Sequence, residues 1–238
     1  MNDSNTAAVG AEQGRHLAFR LAAFAFAVLL AGQCAWLLLS ELLRPGLRQL
    51  PADPASAAIA TEYRDAAYRA AAIGAIRGDL WAEAAFTSAN LLWLNHVTNT
   101  AEVLQPGNAI DRALVDGPEQ SGAWLLLSGL ALTCPSQNIT AIETLKMAYY
   151  TGPSEQPLMS LRLRVAGQLE KFDDIELTDL VRRDIRLLLH QNQKSAIAAA
   201  YAAASSGGRA FIKQTVKDID PAALGILVGD NPNRSVPD

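Results

Sequence analysis

The chain has 238 residues, half of them hydrophobic and 18% charged, which is ample for one packed domain plus an accessory segment. Its net charge of −4 argues against nucleic-acid binding, which goes with a strongly basic balance or patch. The two cysteines, Cys34 and Cys134, stand a hundred residues apart with Cys34 inside an apolar run, so an intrachain disulfide is not expected. Fifteen of the twenty basic residues are Arg and alanine abounds, a bias that suggests a GC-rich bacterial source.

Residues 1–16 are mostly small and polar and read as a disordered tail. An anchor follows over 17–42. From Leu21 to Ser40 there are twenty residues without a charge, and a helix of that length rises about 30 Å, the thickness of a bilayer's hydrocarbon core. Arg20 closes the run on one side, and Glu41, Arg44 and Arg48 close it on the other. The stretch LLAGQCAW (29–36) resembles a lipid-attachment signal, but Gln33 stands where a small residue should precede the cysteine. Apolar sequence also continues past Cys34 through Trp36 to Leu39, beyond the length of about 7–15 residues of a signal peptide's apolar region. The reading is an uncleaved single-pass span, with Trp36 as an interfacial anchor and Gln33, Ala31 and Gly32 as its contact points for another helix. Arg15 and Arg20 ahead of the run balance Arg44 and Arg48 behind it; a short tail before a large domain favours a periplasmic domain.

Residues 43–56 hold Pro45, Pro51 and Pro54 and read as a stiff linker between span and domain. Beyond them, apolar spacing predicts helices almost throughout: Ala57–Arg77, Leu80–Asn95, Ala109–Val115, Ser121–Leu132, Ile139–Tyr150, Leu158–Leu169, Leu177–His190, Ser195–Ala204 and Arg209–Ile219. No alternating β-branched run bounded by hairpin turns is present, so the fold class expected is all-α. Residues 98–108, with Pro106-Gly107, read as a poor helix, and 229–238 as a disordered tail.

One spacing stands out. Trp124, Leu127 and Gly129 lie on one helix, and Ala141, Leu145, Ala148 and Pro153 follow at gaps of four, three and five. Ile110, Ala113 and Pro118 repeat the gaps of three and five, and Tyr68, Ala72, Trp81 and Ala84 give a partial match around Gly78-Asp79. Over residues 57–153 this resembles the tetratricopeptide repeat (TPR), in which small residues let two antiparallel helices approach and large ones fill the space beside them. The resemblance implies TPR-like antiparallel hairpins over 57–153; the fold expected is then a single N-terminal transmembrane helix followed by these hairpins, with 154–228 reading as a C-terminal helical cap.

No nucleophile elbow, phosphate loop, dinucleotide fingerprint or metal-ligand spacing is present, and His16, His96 and His190 are far apart in sequence. No catalytic, cofactor or metal residues are therefore assigned. The polar cluster of interest is basic: Arg162 and Arg164 in SLRLRVAG, with Arg182, Arg183, Arg186 and His190 in the helix after it. Positions 182, 186 and 190 share a face, and arginine forks suit carboxylates and phosphates. Arg162, Arg164, Arg182, Arg186 and His190 are the candidate anion or partner contacts, with nearby Asp and Glu residues able to neutralise much of that charge.

Three functions follow as expectations. The first is a non-catalytic scaffold, held at the bacterial cytoplasmic membrane through residues 21–40, that binds protein partners in envelope or polysaccharide assembly. The second is an accessory subunit or small enzyme acting on an anionic envelope polymer through the Arg-rich C-terminal helices. The third is a structural subunit whose span packs against another span.

Overall fold

The protein is seen in a computed structural model that describes residues 3–93, 100–133 and 140–228. Among these residues the secondary structure is entirely helical. Helix α1 runs over Asp3–Leu42, and Phe19–Leu42 within it is long and apolar enough to cross a membrane. The most apolar window is not buried by the rest of the molecule: Phe19, Phe24 and Leu29 are 70% or more exposed. A soluble core helix hides such side chains, whereas this one leaves them bare. Residues 3–16, expected as a disordered tail, belong to α1, because extending a formed helix adds one hydrogen bond for each residue fixed.

The linker expectation is corrected. Leu50 is 2% exposed and belongs to the main core, and Pro51 is buried beside it. Gly46 turns the chain with φ of 80°, a left-handed conformation that glycine adopts without a Cβ clash. Residues 43–53 are thus a strap laid along the domain.

The domain begins with α2 (Pro54–Glu62), capped by the Asp53 carboxylate, which accepts from Ser56 N at 2.9 Å, with Pro54 pre-set for the first turn. The single helix expected over 57–77 is instead two, broken at Tyr63, with α3 spanning Arg64–Ile73. No glycine or proline marks the break. Thr61 Oγ1 donates to Thr87 O at 3.1 Å and holds α2 on the next segment, while α3 swings onto α1 and α4 (Gly78–Phe86). A 3₁₀ turn over Ala89–Leu92 follows, where the sequence reads as continued α-helix.

Helix α5 covers Thr100–Asp116 with Pro106 inside it, where a poor helix was expected. Next come α6 (Ser121–Thr133) and α7 (Ala141–Thr151), the latter capped by Thr140, whose Oγ1 accepts from Glu143 N at 3.2 Å and donates to Glu143 Oε2 at 2.8 Å. These two form a close pair, in which Ser128 Oγ donates to Ala141 O at 2.8 Å; α6 also meets the 3₁₀ turn, where a Cβ at Gly129 would fall 2.3 Å from the Leu92 side chain. The remaining helices are α8 (Gln156–Gly167), α9 (Ile175–His190), α10 (Lys194–Ala203), α11 (Ser206–Ile219) and α12 (Gly225–Val228).

An internal echo links the first hairpins. Trp81 and Trp124 each donate the indole N–H to a carbonyl six residues upstream, Ala75 O at 3.1 Å and Pro118 O at 2.8 Å. The start of α4 rests on the turn after α5, and the start of α6 on the turn after α7: a Cβ at Gly78 would lie 2.7 Å from Gly117 N, and one at Gly152 2.6 Å from Ser121 Cβ.

One core joins residues 57–153 to 154–228. Its first half packs on alanines such as Ala67, Ala71, Ala84, Ala85 and Ala113, and its second on branched residues such as Leu163, Val181, Ile185, Leu188 and Ile212.

Candidate functional site

The structure divides the sequence-derived basic cluster among three environments. Arg162, on α8, is fully buried. Its Nε donates to Asp184 Oδ2 at 2.9 Å and its Nη1 to Gly152 O at 2.6 Å, and its guanidinium lies 4.5 Å from the centre of the Tyr149 ring. Asp184 is likewise fully buried, on α9. Arg162 is therefore withdrawn as an anion or partner contact, because its donors are committed to tying α8 to α9 and to the end of α7. Arg182, Arg186 and His190 share the exposed face of α9, as their spacing predicts, with Arg182 facing Asp179 at 3.5 Å. Their heads are in water, where ion pairing contributes little.

Arg164 occupies the third environment. It is half-buried, donates Nε to Leu92 O at 3.0 Å, and lies 5.7 Å from the centre of the Trp93 ring. No carboxylate pairs with it among the described residues, and burial pulls its pKa below the ordinary arginine value. Arg164, Trp93, Ser160, Ser195, Asp53 and Pro54 line a cleft of about 320 Å³ between the strap ahead of α2, helix α8 and helix α10. Such a cleft is at the small end of ligand-sized pockets, and it offers apolar walls, two serines, one cation and one acidic residue, Asp53. Sequence reasoning found Arg164 and missed Trp93, Ser160 and Ser195, which arrive from separate segments and carry no shared local signal.

A second polar constellation joins α1 to the domain. Arg44 is hydrogen-bonded to Glu83 and lies 3.1 Å from Asp79 Oδ2, while Arg77 Nη2 bridges Glu41 at 2.6 Å and Asp79 at 2.7 Å. Above this network Ser40 is buried, and Trp36 Nε1 donates to Ile73 O at 2.7 Å. Burial works against the Arg44 charge, but Glu83, Asp79 and Glu41 outweigh it and raise its pKa. Burial likewise opposes the Asp79 carboxylate, and Arg77 and Arg44 overcome it, so its pKa is lowered. Glu83 is 2% exposed, and there burial prevails over Arg44 and raises its pKa.

Among the described residues no group of His, Cys, Asp or Glu is arranged to hold a metal ion. Cys34 is exposed on α1, whereas His96 and Cys134 lie outside the described residues. Compared with family models, with curated proteins and with solved structures, the chain finds no match.

Proposed function

We propose that the protein is a non-catalytic, single-pass membrane-anchored scaffold of TPR-like helical hairpins that binds protein partners at the bacterial cytoplasmic membrane, with its C-terminal domain in the periplasm. The observation that carries this reading is the joint at the end of α1. A bare apolar helix is fastened to the packed domain by Trp36, Arg44 and Arg77, so the domain is presented at a set height and angle. The repeated Trp81 and Trp124 caps and the paired glycine contacts support the helical-repeat reading, since stacked hairpins present concave surfaces to extended segments. The Arg164 cleft is the partner contact, suited to an acidic side chain of the bound protein. The alternative, action on an anionic envelope polymer, is weakened by the commitment of Arg162 to the core.

The test is affinity capture from membranes with the detergent-solubilised full chain, beside an Arg164→Met variant and a span-only control. An envelope protein held by the full chain, absent from the control and depleted by Arg164→Met, is the expected result. Finding no membrane or envelope protein above the control would discard the scaffold reading.

A further inference from the structure

We infer that the protein meets the bilayer at a second place: the C-terminal end of α3 and the turn after it, Ala70–Ile76, lodge among the lipid headgroups and upper acyl chains beside the span. This rests on the reading of α1 as a membrane anchor.

The depth follows from the geometry. Glu41 is the first charge after the apolar run, and Trp36 precedes it by five residues, a descent of about 7 Å along a helix. Side chains of a helix lean towards its N-terminus, so the Trp36 indole reaches further towards the bilayer centre. Its Nε1 is bonded to Ile73 O at 2.7 Å, so the end of α3 lies at that level. Arg77 returns the chain to the level of Glu41. The depth falls within the range of about 5–10 Å to which interfacial helices bury their apolar faces.

The composition suits the place. Between Arg69 and Arg77 the chain reads AAAIGAI, with no polar side chain, and Ala72, Ala75 and Ile76 are exposed, Ile76 at 71%. Nothing in the described structure covers this apolar turn, while the bare span beside it is covered by lipid in the anchored protein.

The backbone supplies an independent argument. The last carbonyls of a helix ordinarily turn to water, and in lipid each needs an internal donor. Here Ala70 O accepts from Gly74 N at 2.8 Å, Gly74 O from Arg77 N at 2.7 Å, Ile73 O from the Trp36 indole and Ala75 O from the Trp81 indole at 3.1 Å. Two tryptophans, the residue type enriched at membrane interfaces, thus satisfy two of the carbonyls that helix geometry leaves open, those of Ile73 and Ala75.

The test uses the full chain in phosphatidylcholine–phosphatidylglycerol vesicles, with Cys34→Ala and Cys134→Ser in the background. A nitrobenzoxadiazole label is placed through Ile76→Cys, Leu30→Cys in the span or Lys213→Cys on exposed α11. The label at 76 should behave like that at 30, quenched by doxyl lipid and shielded from aqueous iodide, with the opposite at 213. Iodide quenching at 76 equal to that at 213, with 30 still shielded, would overturn this inference and leave the anchor standing. Iodide quenching at 76 and 30 alike would overturn both. Trp36→Phe keeps a ring and removes the donor, and should raise iodide quenching at 76 without changing 30; no rise would refute the part given to the indole.

Discussion

Two arginine–carboxylate clusters in this molecule are made of the same groups and serve different ends. The Arg162–Asp184 pair lies in the core with both side chains fully buried, tying α8, α9 and the end of α7 together. The joint of Glu41, Arg44, Arg77, Asp79 and Glu83 is graded, from Glu83 at 2% exposure to Glu41 at 43%. A buried pair repays its desolvation only when every donor is satisfied, so it fixes one packing and tolerates no missing partner. A half-wet network shares its charges and holds two bodies in register at small cost for any one member. The first cluster is architecture; the second holds the domain against the end of α1.

Removing one partner is the sharpest way to break the contrast. Arg162→Met leaves Asp184 buried and uncompensated, and should cost about 3–5 kcal/mol in denaturant unfolding of the full chain. Adding Asp184→Leu should restore most of that loss, because the double variant buries no unpaired charge; no recovery would mean that the pair's hydrogen-bond geometry matters more than its charge.

In the joint the largest effect is expected at the driest member. Arg44→Met deprives the Glu83 carboxylate of its donor and should cost about 1–3 kcal/mol, with partial rescue by Glu83→Gln, read by the same unfolding measurement. Arg77→Met removes pairs open to solvent and should cost no more than about 1 kcal/mol. Its clearer mark should be faster hydrogen exchange at Gly74–Arg77, where the turn is no longer held against Glu41; unchanged exchange would assign the holding to Trp36 alone.

The smallest effects lie in the pH dependence, and they have opposite signs. The lowered Asp79 pKa gives stability that is complete above the ordinary carboxylate value near pH 4 and is lost as pH falls through the folded pKa. Solvent screening holds it to about 1 kcal/mol or less, so the cost of Asp79→Asn should fade below that range. Glu83 is raised, so its contribution is complete below its unfolded value and is lost as pH rises through the folded pKa. The stability of wild type relative to Glu83→Gln should therefore rise as pH falls from 7 to 4 in denaturation at fixed salt. A parallel shift for both variants would show that the two carboxylates share one environment.

Much of the helical order was legible in the chain. The helices expected over 121–132, 158–169, 177–190 and 195–204 correspond to α6, α8, α9 and α10 within two residues at each end, because caps and apolar period are local signals. The break at Tyr63 was not legible, since no breaker residue marks it and the contact beside it, Thr61 to Thr87, spans 26 residues. The linker was misread because proline composition marks stiffness and says nothing of whether Leu50 finds a pocket. Arg162 and Arg164, two residues apart, look alike in SLRLRVAG, yet one is buried against Asp184 and the other lines a cleft beside Trp93.

By itself, then, the sequence determined the helical class and the twenty uncharged residues long enough to cross a bilayer, because propensity, period and length act within a few turns of chain. The tertiary structure decided which arginine lies in the core and which lines a cleft, and that Trp36 and Trp81 donate to the carbonyls of Ile73 and Ala75, at the end of α3 and just past it. Those outcomes depend on groups dozens of residues apart meeting in space, where burial sets the worth of each charge and each hydrogen bond.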